Sequence, residues 1–247
     1  MSRLEFSFQE FDNEIDALSR IASTFIAPAS QGVLPALREL LNSIRQASEG
    51  QKYQWRIDES WPLSTKPTRG YKRGEGSHEV FAAVSSIWHI EPIGGHSRKY
   101  WQKRHFVLDG MASTRVRVLR NSPDNEATEL AMWRMEIADS ASPGSYFHVQ
   151  VMGETETAPF PNYLEVPRLP GLVATPMLVF EFVLGELFQV EWAREAARDS
   201  GSLSQWRHVQ HKRFERFLGW QLQCLQKSGS PLAVLKASQP DGDLFIR

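Results

Sequence analysis

Between residues 79 and 153 the chain repeatedly alternates apolar and polar residues, and this period of two limits what it can fold into. Successive side chains of a strand point to opposite faces, so each such segment has one apolar and one polar face. Five segments show the pattern: "VFAAVSSIWHI", "KYWQKRHFVL", "STRVRVLR", "ELAMWRMEIA" and "YFHVQVM". The breaks between them, "EPIGGHSR", "DGMA", "NSPDNEAT" and "DSASPGS", are rich in turn-forming residues. Short connections favour antiparallel neighbours, so a five-stranded antiparallel meander is expected.

Helical signals flank the meander. Phe8, Phe11, Ile15, Leu18, Ala22 and Phe25 form one helical stripe, and Ser7 with Glu10 has capping-box spacing before it. Pro28 ends that helix; Leu34, Leu37, Leu41 and Ile44 mark a second, stopping before Gly50. Residues 1–50 are thus a helical hairpin whose stripe is expected to face its own core. Residues 51–78 follow as a Pro/Gly-rich loop made basic by Lys66, Arg69, Lys72 and Arg73, and residues 79–247 as the core of one compact domain. After a proline-rich crossing, Thr175 and Pro176 start a long apolar helix reaching Trp192, and a last helix spans about 204 to 227. The tail segments "LAVL" and "LFI" read as short strands. The expected class is α+β: an antiparallel five-stranded meander flanked by an N-terminal helical hairpin and two long C-terminal helices.

Composition narrows the function classes. Of 247 residues, 41% are hydrophobic and 23% charged, as in an ordinary folded protein, and the formal net charge of −1 confines any nucleic-acid contact to a local patch. The single cysteine, Cys224, rules out an intrachain disulfide and a multi-thiolate zinc site. No apolar run approaches the ~20 residues of a membrane span, and the N-terminus lacks a signal-peptide core. A cytoplasmic protein without a membrane anchor is expected. No Walker A loop, dinucleotide fingerprint, nucleophile elbow or EF-hand loop occurs, so no cofactor is assigned.

The stretch "WRMEIADSASPGSYFHVQV" holds the first candidate site. A turn centred near Ser142 places Glu136 opposite His148 and Arg134 opposite Gln150. Trp133, Met135, Ile137, Phe147, Val149 and Val151 then share the other face, and a one-residue slip would drive charges into the core. Carboxylate beside imidazole suits general-base chemistry, so Glu136 and His148, helped by His105 from "KRHFVL", are candidate catalytic residues of a hydrolytic or metal site. The plainer alternative is a solvated cross-strand pair worth some tenths of a kcal/mol.

The segment "WRHVQHKRFERF" holds the second candidate. His208, His211 and Glu215 share a helix face and are candidate metal ligands, although the full HExxH signature is absent. Arg207, Lys212, Arg213 and Arg216, interleaved with Trp206 and Phe214, are candidate nucleic-acid contacts. Against both stands an ordinary amphipathic helix that buries Phe214, Phe217, Leu218 and Leu225. In the proline-rich loop, Phe160 and Tyr163 are candidate interface aromatics. The eight tryptophans suit either a ligand pocket or a core.

Two resemblances accompany these readings. "FHVQV", "VPRLP" and "TPMLVFEFVLGELF", over about residues 130–192, resemble uncharacterised bacterial families in which a histidine-bearing strand precedes a proline-started helix; the resemblance implies no role for any residue. The order helix, meander, proline-rich crossing, helices resembles the ubiquitin-conjugating-enzyme fold. Since no cysteine follows the meander, it implies a catalytically inactive relative. The leading expectation is a non-enzymatic protein-interaction or ligand-binding component of a cytoplasmic complex, partnered by another protein or by itself. Hydrolysis through Glu136 and His148, with or without a metal ion, is second, and nucleic-acid binding through the basic last helix is third.

Overall fold

A computed structural model describes residues 3–72, 76–94, 104–121, 127–139, 144–152 and 168–246. The alternating segments become strands β4 (Val80–Ile93), β5 (His105–Leu108), β6 (Ala112–Asn121), β7 (Ala127–Ile137) and β8 (Phe147–Met152). All pair antiparallel with their neighbours. Four further strands extend the sheet to nine among the described residues: β1 (Glu5–Ser7), β2 (Tyr53–Ile57), β3 (Leu63–Ser64) and β9 (Arg168–Pro170).

The meander differs from expectation in one respect. Ile90 pairs with Tyr53 on one side and Leu108 on the other, and Ile87 with Arg56 and Ser113. β5 and β6 therefore follow one another along the same edge of β4, joined at Asp109 and Gly110, where Gly110 takes a φ of 87° that suits glycine. The path is β4–β6–β7–β8–β9, with β2 and β3 on β4's other edge. The basic loop expected at 51–78 thus contains two strands. β2 alternates exposed and buried residues in its own right, a pattern hidden by the charges and prolines that follow it.

Helices α1 (Phe8–Ile21) and α2 (Val33–Gln46) form the expected hairpin, and the Ser7 side chain accepts from the Glu10 amide as an N-cap should. α1 ends before the proline, which instead opens a short 3-10 turn at Pro28–Ser30. The long helix from Pro176 breaks at Phe188 into α3 (Pro176–Leu187) and α4 (Gln189–Ala196). α5 (Gly201–Leu225) is the expected last long helix. The tail is not strand: "LAVL" lies in a short helix, α6 (Pro231–Ala237), and the segment holding "LFI" is a turn. Apolar periodicity over four residues cannot tell helix from strand, and the proline at the first helical position decides it.

One face of the sheet carries the row Val84, Val116, Trp133, Val151 and meets the helices. α1 lies centrally, burying Phe8, Phe11, Ile15, Leu18 and Ile21 in the core, as its stripe predicts. Phe6, Phe11, Trp55, Trp88 and Phe106 interlock with ring centroids 5.1 to 5.8 Å apart, so these indoles serve the core. Burying each such side chain is worth about 1.5–3 kcal/mol. The chain ends meet: the Glu5 amide donates to the Gly242 carbonyl, and Phe6 stacks on Phe245 at 5.1 Å. No helix among the described residues is long and apolar enough to cross a membrane.

Candidate functional site

The β7–β8 register is the one read from the sequence: Glu136 opposes His148 and Arg134 opposes Gln150. The expectation of a solvated pair fails, however. Glu136 is 5% exposed and His148 2%, and Gln150 is buried as well. A polar sheet face is normally wet; here the pair lies inside the protein and must satisfy its polar atoms internally.

It does so. The Ser113 hydroxyl donates to Glu136 Oε1 at 3.2 Å, and Arg134 Nε stands 3.4 Å from the same oxygen. His148 Nε2 lies 2.9 Å from Glu136 Oε2, and His148 Nδ1 lies 2.9 Å from the Ser145 carbonyl. Arg134 also donates to Gln150 Oε1 at 2.9 Å. Burial opposes ionisation of Glu136, but the His148 hydrogen bond, the charges of Arg134 and His148 and the Ser113 hydroxyl outweigh it, holding the carboxyl below the usual carboxylate range. Both ring nitrogens of His148 thus lie at hydrogen-bond distance from an oxygen of the protein.

Backbone geometry locks the pair. β9 places Pro170 beside His148, and the following residue, Gly171, approaches so closely that an added Cβ would stand 3.0–3.3 Å from the His148 backbone. Chemically, the order is hydroxyl, carboxylate, imidazole. A serine-hydrolase triad needs the imidazole between the other two, with its nitrogen on the hydroxyl. His105 is not part of the group. It pairs with Ile93 while Ser113, beside Glu136, pairs with Ile87, which separates them by roughly 20 Å along β4. His105 faces Glu5 and Glu10 instead, and burial pushes its pKa down.

The sequence singled out Glu136, His148, Arg134 and Gln150 but missed Ser113. The signal was present: a turn centred between Asp124 and Asn125 puts Ser113 opposite Glu136. A register shift between Val118 and Leu119, unseen in the sequence, alters the pairing nearer the turn.

The basic patch on α5 comes apart in three dimensions. Arg213 points inward, with Nη1 2.8 Å from Glu14 Oε1 and Nη2 3.1 Å from Oε2. Gln210 and Thr175 each donate to Glu14 Oε1 at 2.6 Å, and the guanidinium lies over Phe11 at 5.4 Å. Arg213 is thus a core residue and not a nucleic-acid contact; helical periodicity puts it on the side of Trp206, Gln210 and Phe217, which are buried. Arg216 donates to the Phe245 carbonyl at 2.6 Å, and Arg207 to that of Ala196. Lys212 remains exposed. His208, His211 and Glu215 lie on the exposed side, His211 3.5 Å from Glu215. Among the described residues no group of three His, Cys, Asp or Glu side chains could hold a metal ion. Phe160, Tyr163 and Arg73 lie outside the described residues.

The expected burial of Leu218 and Leu225 fails too. They are 54% and 45% exposed, and Leu222 between them is 58% exposed. Their i, i+4, i+7 spacing makes an apolar stripe on the outer side of α5. The inner side already packs Phe217 and Trp220 on Phe147.

Fold and site define an α+β protein with an extended antiparallel sheet, a saturated carboxylate–imidazole pair buried in its polar face, and an open apolar stripe on its longest helix. Comparison with protein-family models, curated proteins and solved structures finds no match.

Proposed function

We propose that this protein acts by binding, as a non-catalytic component of a complex, and that it self-associates through the outer face of α5. The supporting observation is the stripe Leu218, Leu222, Leu225, three large apolar side chains about half exposed on one helix face. Isolated exposed leucines are common; a stripe at helical spacing suits another helix. An antiparallel two-fold contact centred near Leu222 sets Leu218 against Leu225 of the second copy and brings Glu215 toward its Lys227, so apolar and charged positions agree. Glu136 and His148 support the same reading from the other side: each of their polar side-chain atoms already faces a partner within the protein.

Sedimentation of the purified chain tests this. A dimer in the micromolar range is expected, and Leu222→Glu should shift it to monomer without lowering its melting temperature. A monomer at all concentrations, or a dimer that Leu222→Glu leaves intact, would refute the proposed contact. A cytoplasmic setting fits a chain whose one cysteine is buried and free.

The hydrolytic reading keeps one observation, the 2.9 Å contact of His148 with Glu136. It requires the pair to open toward substrate. Hydrolysis of activated esters that Glu136→Gln abolishes, with the fold retained, would favour it over binding.

A further inference from the structure

The outer face of the sheet carries a second row of polar residues, one step from Glu136. Across the strands run Ser85, Arg115, Arg134, Gln150 and Arg168, each opposite the next. Arg115 and Arg134 are thus direct cross-strand neighbours of like charge, an arrangement that destabilises a sheet unless an anion lies between or beside the pair. The two guanidiniums, with Arg56, Ser85 and Ser113, line an open concavity of about 350 Å³.

Two features show that internal partners do not fully meet this cluster. The Nε of Arg115 is buried without a hydrogen-bond acceptor, and that of Arg134 makes no hydrogen bond beyond its ion-pair contact with Glu136 Oε1 at 3.4 Å. The counter-charge on Arg115 comes from Glu59, at 2.7 Å, on the turn after β2, with a side chain 67% exposed. Asp58 beside it is committed to its own turn, accepting from the Ser60 amide at 3.0 Å and hydroxyl at 2.7 Å. Among the described residues lining the concavity, Glu59 is therefore the exposed acid whose ion pair is with Arg115.

We infer that this concavity is a binding site for an oxyanion, the phosphate or carboxylate group of a small ligand, which displaces Glu59 and is held by Arg115 and Arg134 with the hydroxyl of Ser85. A guanidinium presents paired N–H donors that match two oxygens of such a group. Glu59 occupies the place of the ligand when none is bound and sets the threshold for binding. The site is separate from the α5 stripe, so its success or failure leaves the self-association reading untouched.

The test is a titration of the whole chain with inorganic phosphate and, separately, with citrate, at constant ionic strength. It is read by amide chemical shifts of Ser85, Ser113 and Arg115. Saturable shifts are expected for at least one probe. The probe that saturates at lower concentration tells phosphate from carboxylate. Glu59→Gln, at an exposed position, should tighten binding threefold or more, and Arg115→Gln should weaken it tenfold or more. Absence of saturable binding in Glu59→Gln, or binding that Arg115→Gln leaves unchanged, overturns the inference.

Discussion

At the scale of single residues, two buried carboxylates and their partners set the energetics. Glu136 has its folded pKa depressed, so the folded state holds fewer protons than the unfolded state across the carboxylate range. Stability from this group is therefore complete above the ordinary carboxylate pKa and is lost as pH falls through the depressed one. Denaturant midpoints measured from pH 7 to pH 3 should fall in the native chain, and Glu136→Gln should remove part of that fall. At pH 7 the same variant should be less stable by about 1–3 kcal/mol, because His148 and Ser113 lose a charged partner. Glu14 and Arg213 form the second pair. Arg213→Met should cost about 3–5 kcal/mol in urea unfolding by leaving a buried carboxylate unpaired, and adding Glu14→Leu should recover most of that loss. Neither pair was legible as buried. Glu136 and His148 were read as neighbours because hairpin register follows from the turn, but burial depends on what lies over the sheet. Glu14 and Arg213 are separated by most of the chain, and local spacing carries no trace of their contact.

At the scale of elements, the helix boundaries were legible where caps mark them. Ser7 and Thr175 both accept from the amide three residues on. Thr175 has a second task, donating to Glu14, which Ser7 does not share. Ser7→Ala should cost about 1 kcal/mol, and Thr175→Ala should cost clearly more, as thermal denaturation of the two variants can compare. The break at Phe188 was not legible, because the apolar run continues through it. β2 and β3 were missed for a related reason: two to five residues among prolines and charges make no convincing period, and their pairing with β4 supplies the order that their own sequence lacks.

At the scale of the molecule, the ends of the chain complete the core. Phe245 sits between Phe6 and Phe147, 5.1 and 6.3 Å away, and its carbonyl receives Arg216. Phe245→Ala should lower stability by about 3–5 kcal/mol in a urea titration, an effect expected of a core aromatic and not of a tail residue. The basic character read on α5 also changes at this scale. Three of its four cations are turned to partners within the protein, Arg213 to a buried carboxylate and Arg207 and Arg216 to backbone carbonyls, and the outward side carries a leucine stripe.

By itself the sequence determined the α+β class, the alternating strands, the hairpin register that pairs Glu136 with His148, and the helices with capped starts. Each follows from periodicities and turn residues that act over a few positions. Only the tertiary structure decided that β5 and β6 share an edge of β4, that the polar hairpin face is buried, that Arg213 serves Glu14, and that Arg115 and Arg134 converge on a concavity. Those outcomes depend on contacts between residues far apart in the chain, where burial and pairing are set by what the rest of the fold brings alongside.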